Sequence, residues 1–180
     1  GGAGRVIRRG EALDFRDVDV RIGSTRAKLD GGLEPDAWSL RFDVAADDLG
    51  LLDAAARGRF AARGTLGGSP DAPQIDATLH GEGIDYEDMK LASVDGRMQF
   101  DARPDQPLEV KLGVRGLTKG ARHIEAIDFM AQGTTAHHDV RITAGSTPLA
   151  VAARGTGRYD ARLWKTAITG LNLENGDEAA

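Results

Sequence analysis

Apolar residues occupy every second position in short runs along most of the chain. The clearest runs extend from Trp38 to Val44 and from Leu108 to Val114, where polar residues and glycine fill the alternate positions. A period of two places successive side chains on opposite faces of an extended backbone, so each run predicts a half-buried antiparallel strand. The succession of runs predicts an all-β protein of about a dozen mostly antiparallel strands.

The segment from Gly64 to Leu79 joins two of these runs through a turn rich in glycine and proline. Its sequence is G-T-L-G-G-S-P-D-A-P-Q-I-D-A-T-L. Pro70 and Pro73 have no backbone donor and a fixed φ, so this turn must lie at the margin of a sheet. Alternation resumes after Pro73 with Ile75. The same design of strand, turn and strand recurs to the C-terminus, which favours a function spread along a surface.

One segment, 47–57, departs from the period of two. Leu49, Leu52 and Ala56 fall at a spacing of three to four residues, and alanine is frequent between them. Either of the two aspartates that begin the segment can cap a helix, and Gly58 can end it. The pattern predicts one short helix here, covering an end of the apolar sheet face.

The predicted strands supply a thin hydrophobic core. Each contributes only a few medium-sized apolar residues to one face, while the other face is polar or charged nearly everywhere. A sandwich would pack two such faces together, and a barrel would close the sheet on itself. A third arrangement is a single sheet bent around its own apolar face, which leaves a groove. The periodicity alone does not choose among the three.

Composition restricts the partners of the protein. The formal net charge of −5 provides no electrostatic reason to bind nucleic acid or an anionic membrane surface. The absence of cysteine removes disulfides and thiolate chemistry, and is compatible with an oxidising compartment. The sequence contains no run of about 18 apolar residues, so it predicts no membrane-spanning helix.

The residue types needed for catalysis or metal binding are present without a convincing arrangement. His137 and His138 are adjacent and would point to opposite faces of a strand, and no HExxH motif links them to His80 or His123. We expect His138 on the apolar face and no metal site. The carboxylates near the segment 85–88 fit a solvated turn better than an acid and base pair. The sequence therefore predicts no enzyme and no cofactor.

Two tryptophans, Trp38 and Trp164, permit two interpretations. Each can anchor the apolar face near an end of the sheet, or can face a ligand in a groove. The sequence leaves both open.

Several stretches resemble the periplasmic region of the TamB family, in the AsmA-like group of bridge-like lipid-transfer proteins of Gram-negative bacteria. The resemblance covers residues 33–175, and the order of its motifs carries more weight than any one of them. The motifs are the G-x-L-x-G-x-x-x-x-P pattern of 64–79, Asp48-Leu49, Gly116-Leu117 with Ile124, Ile127 and Phe129, Gly133-Thr134 with His138, Val140 and Ile142, and Trp164 with Ile168, Leu171 and Leu173.

The resemblance implies an elongated single sheet folded into a taco-like trough with an apolar interior. Residues 5–175 would form one segment of a longer repetitive periplasmic protein, and 1–4 and 176–180 would be flexible ends. The full protein would be anchored in the inner membrane, reach the outer membrane and act with TamA, a BamA-type partner, in outer-membrane biogenesis and autotransporter assembly. The trough would carry phospholipid acyl chains between the membranes.

Two other functions remain possible at this stage. A chaperone-like scaffold would bind nascent outer-membrane β-strands through its groove or its sheet edges. A closed sandwich would have a structural or adhesive role. For the trough, we expect the lipid-lining side chains to be Trp38, Leu40, Phe42, Val44, Ile75, Leu79, Met98, Phe100, Val110, Leu112, Phe129, Val140, Ile142, Val151 and Ile168.

Overall fold

A computed structural model, which describes residues 1–160 and 163–175, contains one sheet of twelve strands. Every strand pairs antiparallel with the next strand in sequence, so the spatial order is the chain order. The strands are β1 Gly2–Arg9, β2 Ala12–Ile22, β3 Thr25–Leu33, β4 Trp38–Ala46, β5 Ala56–Gly68, β6 Pro73–Tyr86, β7 Met89–Asp101, β8 Pro107–Lys119, β9 Arg122–Thr134, β10 His138–Ser146, β11 Leu149–Asp160 and β12 Leu163–Asn175.

The sheet is open, with β1 and β12 as its two edges. This confirms the all-β prediction and the expected number of strands. A sandwich would need a second sheet and a barrel would need β1 to pair with β12, and the described strands show neither. The arrangement is that of a single layer, consistent with a taco-like trough.

The turn predicted after Gly64 forms as expected. β5 ends at Gly68, and β6 begins at Pro73, so the glycine and proline residues define the boundary of the ladder. Ser69 and Ala72 exchange backbone hydrogen bonds of 3.2 and 3.1 Å across the turn.

The prediction of a helix over 47–57 was wrong. Only Leu49–Leu51 forms a single 3₁₀ turn, capped by Asp48, whose side chain accepts a hydrogen bond from the Gly50 amide. Ala56 already belongs to β5, where its backbone pairs with β6. Leu51 is 45% exposed, so the segment finds no apolar surface to bury. An isolated helix of this length is only marginally stable in water. From Ala56 onward, the backbone instead forms the hydrogen-bond ladder between β5 and β6.

A glycine with positive φ changes the face to which the next side chain of β6 points. Gly83 has a φ of +56°, and Ile84 follows it. A Cβ atom at Gly81 would lie 2.8 Å from Ile84 Cδ1 and 2.9 Å from a methyl of Val94. Ile84 therefore shares a face with Gly81, although strict alternation would send residues three apart to opposite faces.

The chain termini differ in what the structure describes. Residues 2–4, which the sequence assigns to a flexible end, belong to β1, and the Gly1 amino group donates to the Arg21 carbonyl at 3.0 Å. Residues 176–180 lie outside the described part of the chain. Among the described residues, no helix has the length and apolar character needed to cross a membrane.

Replacing Gly31 should test the backbone strain in this single layer. Gly31 has a φ of +120°, and a Cβ atom there would overlap the Ser39 carbonyl oxygen of the neighbouring strand. We expect Gly31→Ala to lower the free energy of unfolding by more than about 2 kcal/mol, measured by urea denaturation.

Gly120→Ala is the matched control, because Gly120 also has a positive φ but a Cβ atom there would meet nothing within 4 Å. We expect it to cost about 1 kcal/mol. Equal losses for the two variants would show that the close approach to Ser39 does not matter.

Candidate functional site

The strand register collects the apolar residues on one face, here called the apolar face. Directly opposed residues of antiparallel strands point to the same side, so a chain of such partners forms a row across the sheet. One row comprises Phe42, Gly64, Ala77, Met98, Val110, Ala131, Val140, Gly155 and Ile168. The next comprises Val44, Ala62, Leu79, Gly96, Leu112, Phe129, Ile142, Ala153 and Leu171.

The remaining predicted lining residues lie on the same face. Leu40, Ile75 and Phe100 belong to a third row, and Trp38 is two residues before Leu40 on β4. Val151 lies opposite Ala144 in a fourth row. The structure therefore brings all the predicted side chains to one surface, and their role toward lipid stays a proposal.

The apolar face is the inner side of a bend where β7 and β12 approach each other. In a flat sheet, five strand spacings would separate these strands by about 24 Å. The ring centroids of Phe100 on β7 and Trp164 on β12 are only 5.6 Å apart. Tyr159 on β11 completes a triangle with them, 5.4 Å from Phe100 and 5.1 Å from Trp164.

Hydrogen bonds between the turns hold this bend in place. The Ala102 amide donates to the Pro73 carbonyl at 2.9 Å, the Thr135 amide donates to Gln106 at 3.0 Å, and the Tyr159 amide donates to Thr135 at 2.7 Å. The ends of β6 to β11 are thereby fastened to one another. We call this margin of the sheet, with its turns 102–106 and 135–137, the closed rim.

Among the described residues, the largest fully buried side chains, Leu108 and Thr135, lie at the closed rim. Leu108 is 2% exposed and packs with Phe100 and Ala131. His138 is 4% exposed on the apolar face, as the sequence predicts, and its Nδ1 lies 3.0 Å from the Thr134 carbonyl oxygen. Trp164 contacts the rings of Phe100, Tyr159 and His138, so it anchors the rim although half of it is exposed.

Away from the closed rim, the apolar face stays only half-covered. Leu79 and Leu112 are intermediate in burial, and Ile168 near the open edge is 74% exposed. Glycine allows a large side chain of the neighbouring strand to lie over the backbone; a Cβ atom at Gly96 would lie 2.8 Å from Leu79 Cγ, so Leu79 occupies that space. This surface offers apolar contact along many strands without a deep polar recess. It can hold an extended apolar chain.

Sequence reasoning missed several members of the apolar face. Leu108 and Val114 flank the predicted Val110 and Leu112 in the same alternating run, so the signal was present. Tyr159 follows the same alternation as Val151, so its face could be predicted, whereas Ile84 could not be placed by alternation. The contribution of Tyr159 depends on the bend at the closed rim, and that of Ile84 depends on the backbone at Gly83.

The opposite face, here called the polar face, carries its charges in rows. One row contains the cations Arg63, Arg97, Lys111, Arg141 and Arg154. Neighbouring rows supply the carboxylates, as in the ion pair of 2.5 Å between Lys111 and Glu109, which holds the pKa of the Glu109 carboxyl below its usual value. A shallow cleft of about 930 Å³ runs between these rows.

His80 is the centre of a charged cluster on the polar face. Its Nδ1 lies 2.6 Å from Asp95 and its Nε2 lies 3.0 Å from Glu82, which also pairs with Arg59. The hydrogen bond to Asp95, followed by that to Glu82, raises the pKa of His80 above 6.5. Arg59, followed by His80, lowers the pKa of Glu82. All four groups are solvent-accessible, so the cluster stabilises the outer surface weakly and forms no shielded acid and base pair.

Comparison with protein-family models found that residues 4–178 match the model described as TamB, N-terminal domain. The match covers nearly the whole chain, including the N-terminal strands that the sequence motifs left uncertain. Searches of curated proteins and of solved structures gave no significant match.

The His80 cluster predicts a local pH dependence. Because the folded protein raises the pKa of His80, the protonated form contributes stability that is complete below pH 6.5 and is lost as the pH rises through the folded pKa. We expect a histidine titration by NMR to give a pKa above 6.5 for His80.

Asp95→Asn should lower the pKa of His80, because it removes the larger of the two causes. An identical His80 pKa in both proteins would contradict the assigned hydrogen bond.

Proposed function

Because the chain belongs to the TamB family, we propose that it is a segment of a periplasmic trough whose apolar face carries phospholipid acyl chains between the inner and outer membranes. The family is a non-enzymatic transport or assembly module of the Gram-negative envelope, and it is associated with TamA. Family membership supports a role in outer-membrane assembly or lipid transport. Acyl chains as the cargo, and TamA as the partner reached through the full-length protein, belong to the proposal.

The observation that carries this proposal is the continuity of the apolar face across all the central strands. Its two central rows extend from β4 to β12 without a charged residue. Burying an acyl chain on such a surface recovers about 0.8 kcal/mol for each CH₂ group removed from water. A saturated tail therefore gains substantial free energy without any specific polar contact.

The geometry of the sheet suits movement along its axis. Measured along the sheet and around its bend, twelve strands at a spacing of about 4.8 Å give a surface roughly 50 to 60 Å long. Both central rows combine large apolar residues with glycine and alanine, as with Leu79 beside Gly96, so a tail meets an uncharged surface at every strand from β4 to β12. A tail that shifts by one strand exchanges one apolar contact for another, so no position along the trough need trap it.

The closed rim would set the depth of this trough. Its aromatic side chains occupy the inner side of the bend, so acyl chains would lie over the central rows and not past Phe100 and Trp164. Trp164 would then have both of the roles that the sequence leaves open, because it would anchor the closed rim and also contact the lipid.

The alternative is a chaperone-like scaffold for unfolded strands of outer-membrane proteins. The feature that favours it is the open edge of β12, whose side chains are all exposed. Strand addition at such an edge would give a client backbone hydrogen bonds. Photocrosslinking from Leu112 distinguishes the two functions, because lipid adducts support the trough and peptide adducts support the scaffold.

Native mass spectrometry of the purified protein, with lipid extraction from the same sample, tests the trough directly. We expect phospholipid to co-purify, and we expect Leu112→Glu and Leu79→Glu to reduce the bound lipid at least about tenfold. A carboxylate on the apolar face would have to be desolvated against an acyl chain. The full-length protein with Leu112→Glu should also lose lipid transport.

Thr78→Glu is the matched control, because Thr78 precedes Leu79 in β6 and points to the polar face. It should retain lipid and give the same circular dichroism spectrum. Lipid-free protein that also fails to bind an added fluorescent fatty acid would overturn the proposal, as would transport that survives Leu112→Glu.

A further inference from the structure

The margin of the sheet opposite the closed rim contains the turns that join β6 to β7 and β8 to β9. The Gly120 amide donates to the Asp88 carbonyl at 3.2 Å, so the two turns lie side by side. The strand residues that flank these turns are direct partners across four interior strands and form one row. We call it the outer row, and its members are Tyr86, Met89, Lys119 and Arg122.

The outer row lies on the apolar face. Gly81 is directly opposite Val94, which is two residues from Gly96 of a central apolar row. Ile84 shares the side of Gly81, and Tyr86 is two residues further along β6, so Tyr86 points to the same side. Direct partners in an antiparallel sheet share a side, so the other members of the outer row also point to the apolar face.

The positions that alternate with the outer row carry polar contacts on the opposite side. Lys90 Nζ lies 3.3 Å from an Asp85 carboxylate oxygen. The Thr118 hydroxyl lies 3.0 Å from His123 Nδ1. These two cross-strand pairs occupy the polar face, which agrees with the assignment of the outer row to the apolar face.

Lys119 and Arg122 place two positive charges directly opposite each other at this margin. Both side chains are exposed, and neither forms an ion pair within the described part of the chain. Like charges in directly opposed positions destabilise a sheet. Two residues further inward, Leu117 and Ile124 are direct partners and half-buried. The margin therefore presents an unneutralised pair of cations at the border of an apolar surface.

We propose that Lys119 and Arg122 bind the phosphate of a phospholipid headgroup while its acyl chains lie on the apolar face. A guanidinium donates two parallel hydrogen bonds to phosphate oxygens, and an ammonium adds a compact positive charge. Tyr86 contributes a ring with an apolar body and a polar tip to the same row. The inference rests on the proposed function of the trough and adds the position and the charge of the headgroup.

The closed rim does not offer an equivalent place for a phosphate. Its cation Arg103 already pairs with Asp101 at 2.5 Å, and its turns are hydrogen-bonded to one another. A phospholipid would therefore point its tail ends toward the closed rim and its headgroup toward the outer row. Because both cations of the outer row are exposed, each contact with phosphate is weak, and the lipid can leave.

A comparison of two lipids with the same tails tests the headgroup site. Dioctanoyl phosphatidylglycerol and dioctanoylglycerol differ by the phosphate and its glycerol, and each can displace an uncharged naphthylamine fluorophore from the protein. We expect the double variant Lys119→Gln with Arg122→Gln to weaken the binding of the phospholipid about tenfold at low ionic strength. Its binding of dioctanoylglycerol should stay within about twofold of the wild type.

The matched control is the double variant Arg141→Gln with Arg154→Gln. These cations are also directly opposed and without an ion pair in the described chain, but they belong to the polar face. The control should bind both lipids as the wild type does. Circular dichroism checks that each variant is folded. If the double variant of the outer row fails to fold, the single variants, each expected to weaken phospholipid binding about threefold, decide the question.

The other outcomes separate the site from the trough. If neither lipid displaces the fluorophore from the wild type, the trough is wrong and this inference is overturned with it. If both lipids bind and the outer-row variant weakens neither, or weakens both equally, the headgroup site is wrong while the trough stands. Calorimetry with millimolar inorganic phosphate should detect no binding. Saturable phosphate binding that the outer-row variant loses would indicate a site for the free ion, and would overturn the assignment to a lipid headgroup.

Discussion

The backbone hydrogen-bond ladder between consecutive strands is the constraint on which the rest of the structure depends. The described residues form a single layer, so no second sheet covers an apolar side chain that points to the wrong face. A slip of one residue in any pairing would exchange the two faces of that strand. The apolar face is continuous only because eleven successive pairings keep compatible registers, with bulges and positive-φ glycines absorbing the exceptions.

A single layer also limits where stability can come from. The largest fully buried side chains lie at the closed rim, where the sheet bends and the turns share hydrogen bonds. Elsewhere, most apolar side chains of the described strands are only partly buried, with Val18 and Ala46 as exceptions. This uneven burial is what an apolar trough requires, because a densely packed interior along the whole sheet would leave no surface for a ligand. The rim therefore stabilises the bend, and the central rows remain accessible.

The polar face is charged, and its ion pairs are accessible to solvent. Charges arranged in opposed rows keep the outer face hydrated, and the individual ion pairs are too exposed to stabilise the fold strongly. β1 and β12 are the outer strands of the described sheet. The described sheet therefore has one apolar face and one charged face.

The sequence by itself determined the strands, their faces and the turns, because a period of two and the backbone restrictions of proline and glycine are local properties. Trp38, Phe42, Leu112 and the other expected lining residues share one face in the structure, and their contact with lipid stays a prediction. The sequence-based prediction failed at 47–57, where helix propensity lost to the β5 and β6 ladder. Only the tertiary structure decided that the sheet is open, that Phe100 meets Trp164 across five strand spacings, and that several cations of the polar face share a row. These features depend on register and curvature, which arise from pairing between strands and leave no periodic signal within any one of them.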